Sequence, residues 1–255
     1  MGEFTLRVHD CEVTVNVSNQ EELLRTVRDR LKLRSGFAIA TLNLDHLVKL
    51  KHNGGFRKAY RRQDLVVADG NPIVWLSWLA GTPVSLVPGS DLVGPLAALA
   101  ARENAPVALL GSTEETLATA AARLVAAHPG LRVAACLAPG RNFQADSPEA
   151  TAMIERLRLS GARLTFLALG APRQELFAAR CRAELPEMGF ASIGAGLDFI
   201  ASSQRRAPLW MRRLAMEWLW RMLTDPRRLA GRYARCAITL PHLVASAVKK
   251  TAFPS

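Results

Sequence analysis

The sequence predicts an α/β fold in which helices cover both faces of a parallel β-sheet. Short apolar runs alternate with amphipathic helical stretches, and these runs are FAIATLN, LVVADG, VSLVPG, PVALLGS, LRVAACLAPG, RLTFLALG and GFASIGAG. A strand that is apolar on both faces must be buried on both faces, which is typical of a parallel sheet between two helical layers. The alternation ends near Gly196, and the pattern after it is helical only.

The charge distribution divides the chain at the same place. Residues 199–255 contain eleven Lys and Arg and two acids, so this segment carries +9 of the +11 net charge of the whole chain. We therefore predict two domains, an α/β body at residues 1–200 and a basic helical appendage at residues 201–255. Because 49% of the residues are hydrophobic and 22% are charged, the chain can form a sizeable core.

The segment before the first long apolar run predicts a hairpin and a helix. The runs FTLRV and EVTVNV flank the polar pair His9-Asp10, as two antiparallel strands would. Ser18 followed by Glu21 matches a capping box, which predicts Ser18 as the N-cap of a helix that begins with QEELL.

Several features predict a cytosolic protein or one that is peripheral to a membrane. The N-terminal residues lack the basic-then-apolar pattern of a signal peptide. The longest candidate span, CAITLPHLVASAV, is shorter than the ~18 apolar residues of a membrane helix and contains Pro241 and His242. The four cysteines are far apart and form no CxxC pair, which favours reduced thiols over disulfides or a zinc site.

Polar residues and glycines follow five of the predicted strands at their carboxyl ends, where open α/β sheets bind ligands. They are Thr41 and Asn43, Asp69-Gly70, Gly89-Ser90-Asp91, Gly111-Ser112-Thr113, and GAPRQE from Gly170 to Glu175. Each alone is most simply a turn in which glycine supplies the geometry and Ser or Asp caps the next helix. Their shared place at one edge of the sheet predicts a site, although the chain contains no Walker A, GxGxxG, HExxH or GxSxG motif.

The segment RRAPLWMRRLAMEWLWRMLTDPRRLAGR is rich in arginine and tryptophan. A helix from Pro208 to about Thr224 would separate an apolar side from a basic side. Trp210 and Trp220 would then lie beside arginines, as indoles do at a lipid interface, while Trp218 would pack in the core.

A second helix is predicted from Asp225-Pro226, with Arg228, Arg232 and Arg235 in a stripe along it. A guanidinium group binds phosphate oxygens in pairs, so the stripe suits a diphosphate or anionic headgroups. A solvated charged face and a nucleic-acid surface are the alternatives. Nine arginines against two acids disfavour the first, and the absence of an RNP, KH or zinc-finger pattern disfavours the second.

Six motifs, in order, resemble those of the WecG/TagA/CpsF glycosyltransferases. They are TLNLDHL, ADGNPIVW, GSDL, FLALGAPRQE, GAGLDF and the arginine-rich segment that ends at Arg232. The resemblance implies a Rossmann-like body with a membrane-associating C-terminal appendage. It also implies inverting transfer of a sugar from a UDP-sugar to a polyprenyl-diphosphate-linked glycan at the cytoplasmic face of the membrane, forming a β-linkage.

Two positions depart from the family pattern, and one form within it indicates a subgroup. Ser202 stands where Gly is common, and Arg173 replaces a common Lys but keeps the positive charge. The form DGNPIVW, with Pro72, is most similar to members that build exopolysaccharide repeat units. That similarity implies glucose or a similar hexose as the donated sugar, and the family as a whole implies glucose, N-acetylmannosamine or a related hexose.

The resemblance also implies roles for individual residues. Asp69 would accept the proton of the acceptor hydroxyl, and Thr41 and Asn43 would position the acceptor or the base. Because the chain contains no Asp-x-Asp pair, arginines and helix N-termini would supply the counter-charge for the leaving UDP, and neither a metal ion nor another cofactor is expected. The residues implied to bind substrate are Gly111, Gly170, Arg173, Gln174, Glu175, Arg221, Arg228 and Arg232.

The expected partners are a UDP-sugar, a lipid-diphosphate-linked acceptor and an anionic membrane surface, and not nucleic acid. The competing hypothesis is a basic α/β module that binds nucleic acid or protein without catalysis. Asp69 together with the GAPRQE loop favours an enzyme, since a binding module would not need them. The sequence leaves open whether the chain forms a homo-oligomer.

Overall fold

The strands and helices of the computed structural model follow the predicted alternation. The structure describes residues 3–8, 11–204, 207–208, 210–211 and 214–252, with the backbone alone at 11, 221, 228, 246 and 248–252. The strands are β1 (Phe4–Val8), β2 (Cys11–Val15), β3 (Phe37–Leu42), β4 (Leu65–Ala68), β5 (Val107–Gly111), β6 (Val133–Leu137), β7 (Leu164–Ala168) and β8 (Gly189–Ser192). The helices are α1 (Gln20–Lys32), α2 (Leu44–His52), α3 (Gly54–Tyr60), α4 (Asn71–Leu79), α5 (Gly89–Arg102), α6 (Glu114–Ala127), α7 (Pro148–Ser160), α8 (Arg173–Glu184), α9 (Gly196–Ile200), α10 (Glu217–Thr224) and α11 (Pro226–Ala252).

Six of these strands form a parallel sheet in the order β4-β3-β8-β7-β5-β6. Every residue of the interior strand β3 is buried, as a strand between two helical layers requires. Ile39 and Leu109 pack into the cluster that contains α1, α5 and α6, whereas Ala38 and Leu110 pack against α7 and α8 on the opposite face. The predicted α/β class, Rossmann-like with helices on both faces, is confirmed.

The N-terminal hairpin is confirmed, but the cap of the first helix lies one residue later than predicted. Strand β1 pairs with β2 in antiparallel register, with Phe4 opposite Val15. The N-cap of α1 is Asn19, whose side chain accepts a hydrogen bond from the backbone N–H of Glu22 at 2.9 Å. Glu22 in turn accepts hydrogen bonds from the backbone N–H and hydroxyl of Ser18. Asn caps a helix as well as Ser, so the cap moved by one residue, and Glu22 bonds the residue before the cap instead of the cap itself.

The run VSLVPG does not form a strand of the sheet, which contradicts the sequence prediction. It contributes only an isolated bridge between Ala68 and Leu86. Pro83 and Pro88 bracket the run, and because proline has no backbone N–H the segment between them is too short for a full ladder.

The helix predicted from Pro208 to Thr224 is interrupted. Ala215 has a φ of +60°, and the Met216 N–H donates to the carbonyl of Met211 at 2.8 Å. A residue in the left-handed conformation, next to a bond from an N–H to the carbonyl five residues earlier, commonly ends a helix. A separate helix, α10, therefore begins at Glu217. The second helix does begin at Pro226, as predicted.

Trp218 was predicted to pack in the core, and this prediction is wrong. The ring is 49% exposed and lies edge-on to the ring of Tyr233, with centroids 5.9 Å apart. The reason is that α10 makes its extensive contacts with α11 rather than with the sheet.

The last helix returns to the α/β body. Helix α11 packs against α2, α4 and β1. Leu243 and Ala247 on α11 are buried in the same cluster as Phe4 and Ile73. The division of the chain near residue 200 stays a prediction. Among the described residues, no helix is long and apolar enough to cross a bilayer.

Candidate active site

Two neighbouring strand ends bring Asp69 and Asn43 together. Strands β3 and β4 pair so that Leu42 lies opposite Ala68, and the backbone N–H of Asp69 donates to the carbonyl of Leu42 at 2.7 Å. A Cβ placed on Gly70 would lie 3.8 Å from the Cβ of Asn43. The Asp69 side chain is half-buried. The predicted base therefore lies at the carboxyl edge of the sheet, next to the loop that follows β3.

Thr41 and Asn43 both have structural contacts at this edge. Thr41 is buried beneath Gly89, where an added Cβ would come within 3.1 Å of the Thr41 hydroxyl oxygen. The Oδ1 atom of Asn43 accepts a hydrogen bond from the backbone N–H of His46 at 3.0 Å and so caps α2. The amide nitrogen is then the group of Asn43 that could donate to a substrate.

Gln174 connects the loops that follow β7 and β8. Its Oε1 accepts a hydrogen bond from the backbone N–H of Gly194 at 3.2 Å, and its Nε2 donates to Oε1 of Glu175 at 2.8 Å. Gly170 and Gly194 have positive φ angles of 70° and 56°, and a Cβ on either would meet no atom within 4 Å. Open space therefore adjoins both glycines. Gln174 itself is 2% exposed, and its amide is held in a single orientation.

Glu175 lies fully buried behind Gln174, so this placement suits positioning rather than direct contact with a substrate. Its Oε2 has no hydrogen-bond partner among the described residues. Burial raises the pKa of Glu175 to about 7, although the hydrogen bond from Gln174 acts in the opposite direction. A buried carboxyl group that is protonated near neutral pH can orient its neighbour without introducing a full charge.

Arg173 and Gly111 are not brought to the same point as Asp69 and Gln174. Arg173 is exposed, and its Nη1 donates to the carbonyl of Arg141 at 3.2 Å. Gly111 has a φ of +121°, and a Cβ on it would collide with the backbone of Ala168 in β7. Gly111 therefore allows the ends of β5 and β7 to approach each other closely.

A buried carboxylate joins α2, α11 and the GAPRQE loop. Asp45 is 7% exposed. Lys49 Nζ lies 2.7 Å from its Oδ2, and Arg232 Nε lies 3.1 Å from its Oδ1. Lys49 also donates to the carbonyl of Ala171 at 2.9 Å. These contacts attach the C-terminal helix and the loop after β7 to the helix that Asn43 caps.

Sequence reasoning did not reveal Asp45 and Lys49. Their i, i+4 spacing in LDHLVKL signals a local ion pair, but no sequence pattern signals the pairing with Arg232. Arg232 was predicted to face the diphosphates, and it lies at this edge of the sheet while paired with Asp45. The predicted contributions of Arg221 and Arg228 rest on side chains that lie outside the described residues.

His46 and Tyr60 form a buried polar pair near Asp45. The His46 Nδ1 atom lies 3.3 Å from the Tyr60 hydroxyl oxygen, and the two rings meet edge-on. Burial, assisted by the charge of Lys49, lowers the pKa of His46 to about 3. Burial also raises the pKa of Tyr60, and the charges of Glu175 and Asp69 add to that effect. Both side chains are therefore neutral at pH 7.

The assembled edge offers the half-buried carboxylate of Asp69, the amide nitrogen of Asn43 and the cations Lys49 and Arg232. A carboxylate can accept a proton, amides can hold hydroxyl groups, and cations can balance phosphate charge. In the described part of the chain, no three His, Cys, Asp or Glu side chains are grouped so that they could hold a metal ion. The expectation of catalysis without a metal stays a prediction.

Comparison with known protein families identifies the family of this chain. The model of the glycosyl transferase WecG/TagA/CpsF family matches residues 8–254, which is nearly the whole chain. The match includes both the sheet that carries Asp69 and the helix that carries Arg232. The hypothesis of a binding module without catalysis consequently loses its support. The chain belongs to the WecG/TagA/CpsF family of glycosyl transferases.

Proposed function

We propose that this glycosyltransferase moves a hexose, such as glucose or N-acetylmannosamine, from a UDP-sugar to a polyprenyl-diphosphate-linked glycan. The product is a β-linkage in a cell-surface polysaccharide. Family membership supports glycosyl transfer in cell-surface glycan synthesis. The observation that carries the finer proposal is the half-buried Asp69 beside Asn43, at the edge where Gly194, held by Gln174, adjoins open space.

Inverting transfer needs one base and no covalent enzyme intermediate. Asp69 accepts the proton of the acceptor hydroxyl as that oxygen attacks C1 of the donor sugar. The bond between C1 and the diphosphate oxygen breaks on the opposite side, and UDP leaves with the electron pair. Asn43 holds a substrate hydroxyl group through its amide nitrogen. Gln174 is buried with both amide atoms bonded inside the protein, and it fixes the Gly194 loop.

The leaving diphosphate carries growing negative charge, which this chain would balance with its own cations. Lys49 and Arg232 lie at the carboxyl edge of the sheet and share Asp45. Arg221 and Arg228, on α10 and α11, are proposed to join them when substrate binds. Fixed cations directed at a developing charge stabilise a transition state without a metal ion.

The test of this proposal is Asp69→Asn, which keeps the size of the side chain but removes the base. We expect turnover to fall by roughly 10²–10⁴-fold, the range for losing a general base, while UDP binding is retained. Turnover is measured as UDP release with a panel of UDP-sugars and a lipid-diphosphate acceptor, and UDP binding by thermal shift.

Asp146→Asn is the control, because Asp146 is a carboxylate in the loop between the outermost strand β6 and α7, outside the six motifs. We expect Asp146→Asn to keep most of the turnover. Near-normal turnover of Asp69→Asn, or a larger loss in Asp146→Asn, would remove Asp69 from the role of base. UDP release with none of the UDP-sugars would refute the proposed donor.

We also propose that the enzyme is peripheral to the inner face of the membrane, where its lipid-linked acceptor lies. The basic C-terminal segment supports this proposal, since each Lys or Arg near an anionic surface contributes about 1 kcal/mol to binding. Trp210 is 59% exposed, as expected for an indole at a lipid interface. Trp220 is half-buried.

A further inference from the structure

Helix α4 presents an apolar face to the outside of the α/β body. Ile73 and Leu76 are buried on its inner side. On its outer side, Trp75 is 47% exposed, Trp78 is 62% exposed and Leu79 is 45% exposed. The spacing i, i+3, i+4 places these three side chains together on one face. A surface helix of a water-exposed protein normally has charged or polar residues in that position.

This face adjoins an uncharged segment of the chain, and the helix that packs against α4 is rich in basic residues. No charged residue occurs from Gly70 to Ser90, and Leu86, which follows α4, is 41% exposed. Helix α11 packs against α4. The sequence of α11 contains no acid and six basic residues, which are Arg227, Arg228, Arg232, Arg235, Lys249 and Lys250.

We propose that Trp75, Trp78 and Leu79 of α4 insert into the interface of an anionic lipid bilayer, with α11 at the headgroups. An indole ring is favoured at that depth because it has an apolar body and one polar N–H. Neighbouring cations are attracted to anionic lipid, and together the two features describe an interfacial surface. The predicted membrane contact of the C-terminal segment is thereby extended to a helix of the α/β body itself.

The charge of α11 is the reason to choose a membrane over a second copy of this chain. A symmetric dimer through α4 would bring the same patch of both subunits together. Two α11 helices, each with five cations besides the Asp45-paired Arg232 and with no acid, would then repel one another near an apolar interface. An anionic surface is attracted to the same charges.

The position of α4 relative to Asp69 connects this surface to catalysis, and this step rests on the proposed function. Helix α4 begins directly after Asp69 and Gly70. At a rise of 1.5 Å per residue, Trp75 and Trp78 lie roughly 6 and 10.5 Å along the helix axis from Asn71, its first residue. A membrane held at these side chains would present a lipid-linked diphosphate close to the base.

The experiment compares vesicle binding of the wild type with that of Trp75→Ser/Trp78→Ser. Vesicles of phosphatidylglycerol and phosphatidylcholine are sedimented with the full-length protein. We expect the double variant to bind the vesicles at least about tenfold more weakly, because it lacks the two half-exposed indoles that would move from water into the lipid interface. Leu159→Ser is the matched control, since Leu159 is 78% exposed on α7 beside the opposite edge strand β6, and it should bind like the wild type.

Two further measurements separate the outcomes. If the double variant unfolds, Trp78→Ser alone is used, because that side chain is the more exposed of the two. Wild-type affinity of the folded variant would overturn the inference. A lipid-free dimer that the substitutions convert to a monomer, with vesicle binding unchanged, would assign the face to a second copy and also overturn it.

Activity distinguishes this inference from the proposed function. With a water-soluble short-chain acceptor, the double variant should turn over like the wild type, whereas turnover on acceptor embedded in vesicles should fall. If vesicle binding needs the two tryptophans but no UDP-sugar is turned over by either protein, the inference stands and the proposed reaction is wrong.

Discussion

Replacing Asp45 by asparagine removes the carboxylate that Lys49 and Arg232 share. The side chain keeps its size, so the perturbation is electrostatic. Two cations lose their partner in the same step, and one of them also holds the carbonyl of Ala171 at 2.9 Å. We therefore expect a loss of stability together with a loosening of both α11 and the GAPRQE loop.

The expected loss of stability follows from how exposed the three side chains are. Removing one partner of a fully buried ion pair costs about 3–5 kcal/mol, whereas exposed pairs contribute about 0–1 kcal/mol. Asp45 is 8% exposed at its side chain, but Lys49 and Arg232 are each 33% exposed and can regain water. We expect the free energy of unfolding to fall by about 2 kcal/mol, an intermediate value. In a chain of this length that lowers Tm by about 4–8 °C.

The assay combines thermal unfolding with turnover at a temperature where each variant is folded. Asp64→Asn is the matched control, because Asp64 also pairs with two cations, Arg30 and Arg182, both at 3.0 Å. Asp64 lies before β4, at the opposite edge of the sheet from Asp69. We expect both variants to lose stability, and only Asp45→Asn to lose roughly tenfold or more in turnover.

Two results would refute this reasoning. If Asp45→Asn left Tm unchanged, the ion pairs would contribute nothing to stability. If it lowered Tm but left turnover equal to that of Asp64→Asn, Asp45 would be a structural residue without influence on the site. A double variant with Arg232→Ala adds a direct measure, because paired residues should show a smaller combined loss of stability than the sum of the single losses.

Two further predictions concern pH and metal ions. Burial raises the pKa of Glu175 from 4.5 to about 7. Between these pH values the folded protein holds a proton that the unfolded chain has lost. The contribution of Glu175 to the free energy of unfolding therefore falls as pH rises through that window. The Tm of Glu175→Gln, relative to that of the wild type, should therefore rise from pH 5 to pH 7 and stay constant above pH 7. Parallel curves of Tm against pH would show that Glu175 titrates normally. Turnover of the purified enzyme should persist in excess EDTA, because the chain contains no Asp-x-Asp pair. A complete loss of turnover that magnesium or manganese restores would show that the protein has metal ligands that this prediction overlooks.

The candidate site could be predicted in part. Asp69, Asn43 and Gln174 follow predicted strands, and parallel strands place their carboxyl ends at one edge whatever their order. The contacts within that edge could not be predicted. Arg173 and Gln174 are neighbours in the chain, yet one is exposed and the other is buried, because the start of α8 directs successive side chains to different sides.

The same limit applies to the local elements that were predicted wrongly. The capping box at Ser18 moved by one residue to Asn19, since two adjacent residues could serve and only the packing of α1 selects between them. The helix predicted through Ala215 is broken there, although no proline or glycine marks the break in the sequence. Trp218 has the spacing of a core residue, but its helix packs on α11 instead of on the sheet.

By itself the sequence determined the α/β class, the N-terminal hairpin and the segregation of basic charge at the C-terminus. Each of these depends on periodicity, composition or short spacing, which are local properties of a chain. Only the tertiary structure decided that Asp45 pairs with Arg232, that α11 returns to pack on α2 and α4, and that α4 presents tryptophans outward. Those contacts join residues far apart in the chain, and they depend on how the helices pack around the sheet, which no local pattern encodes.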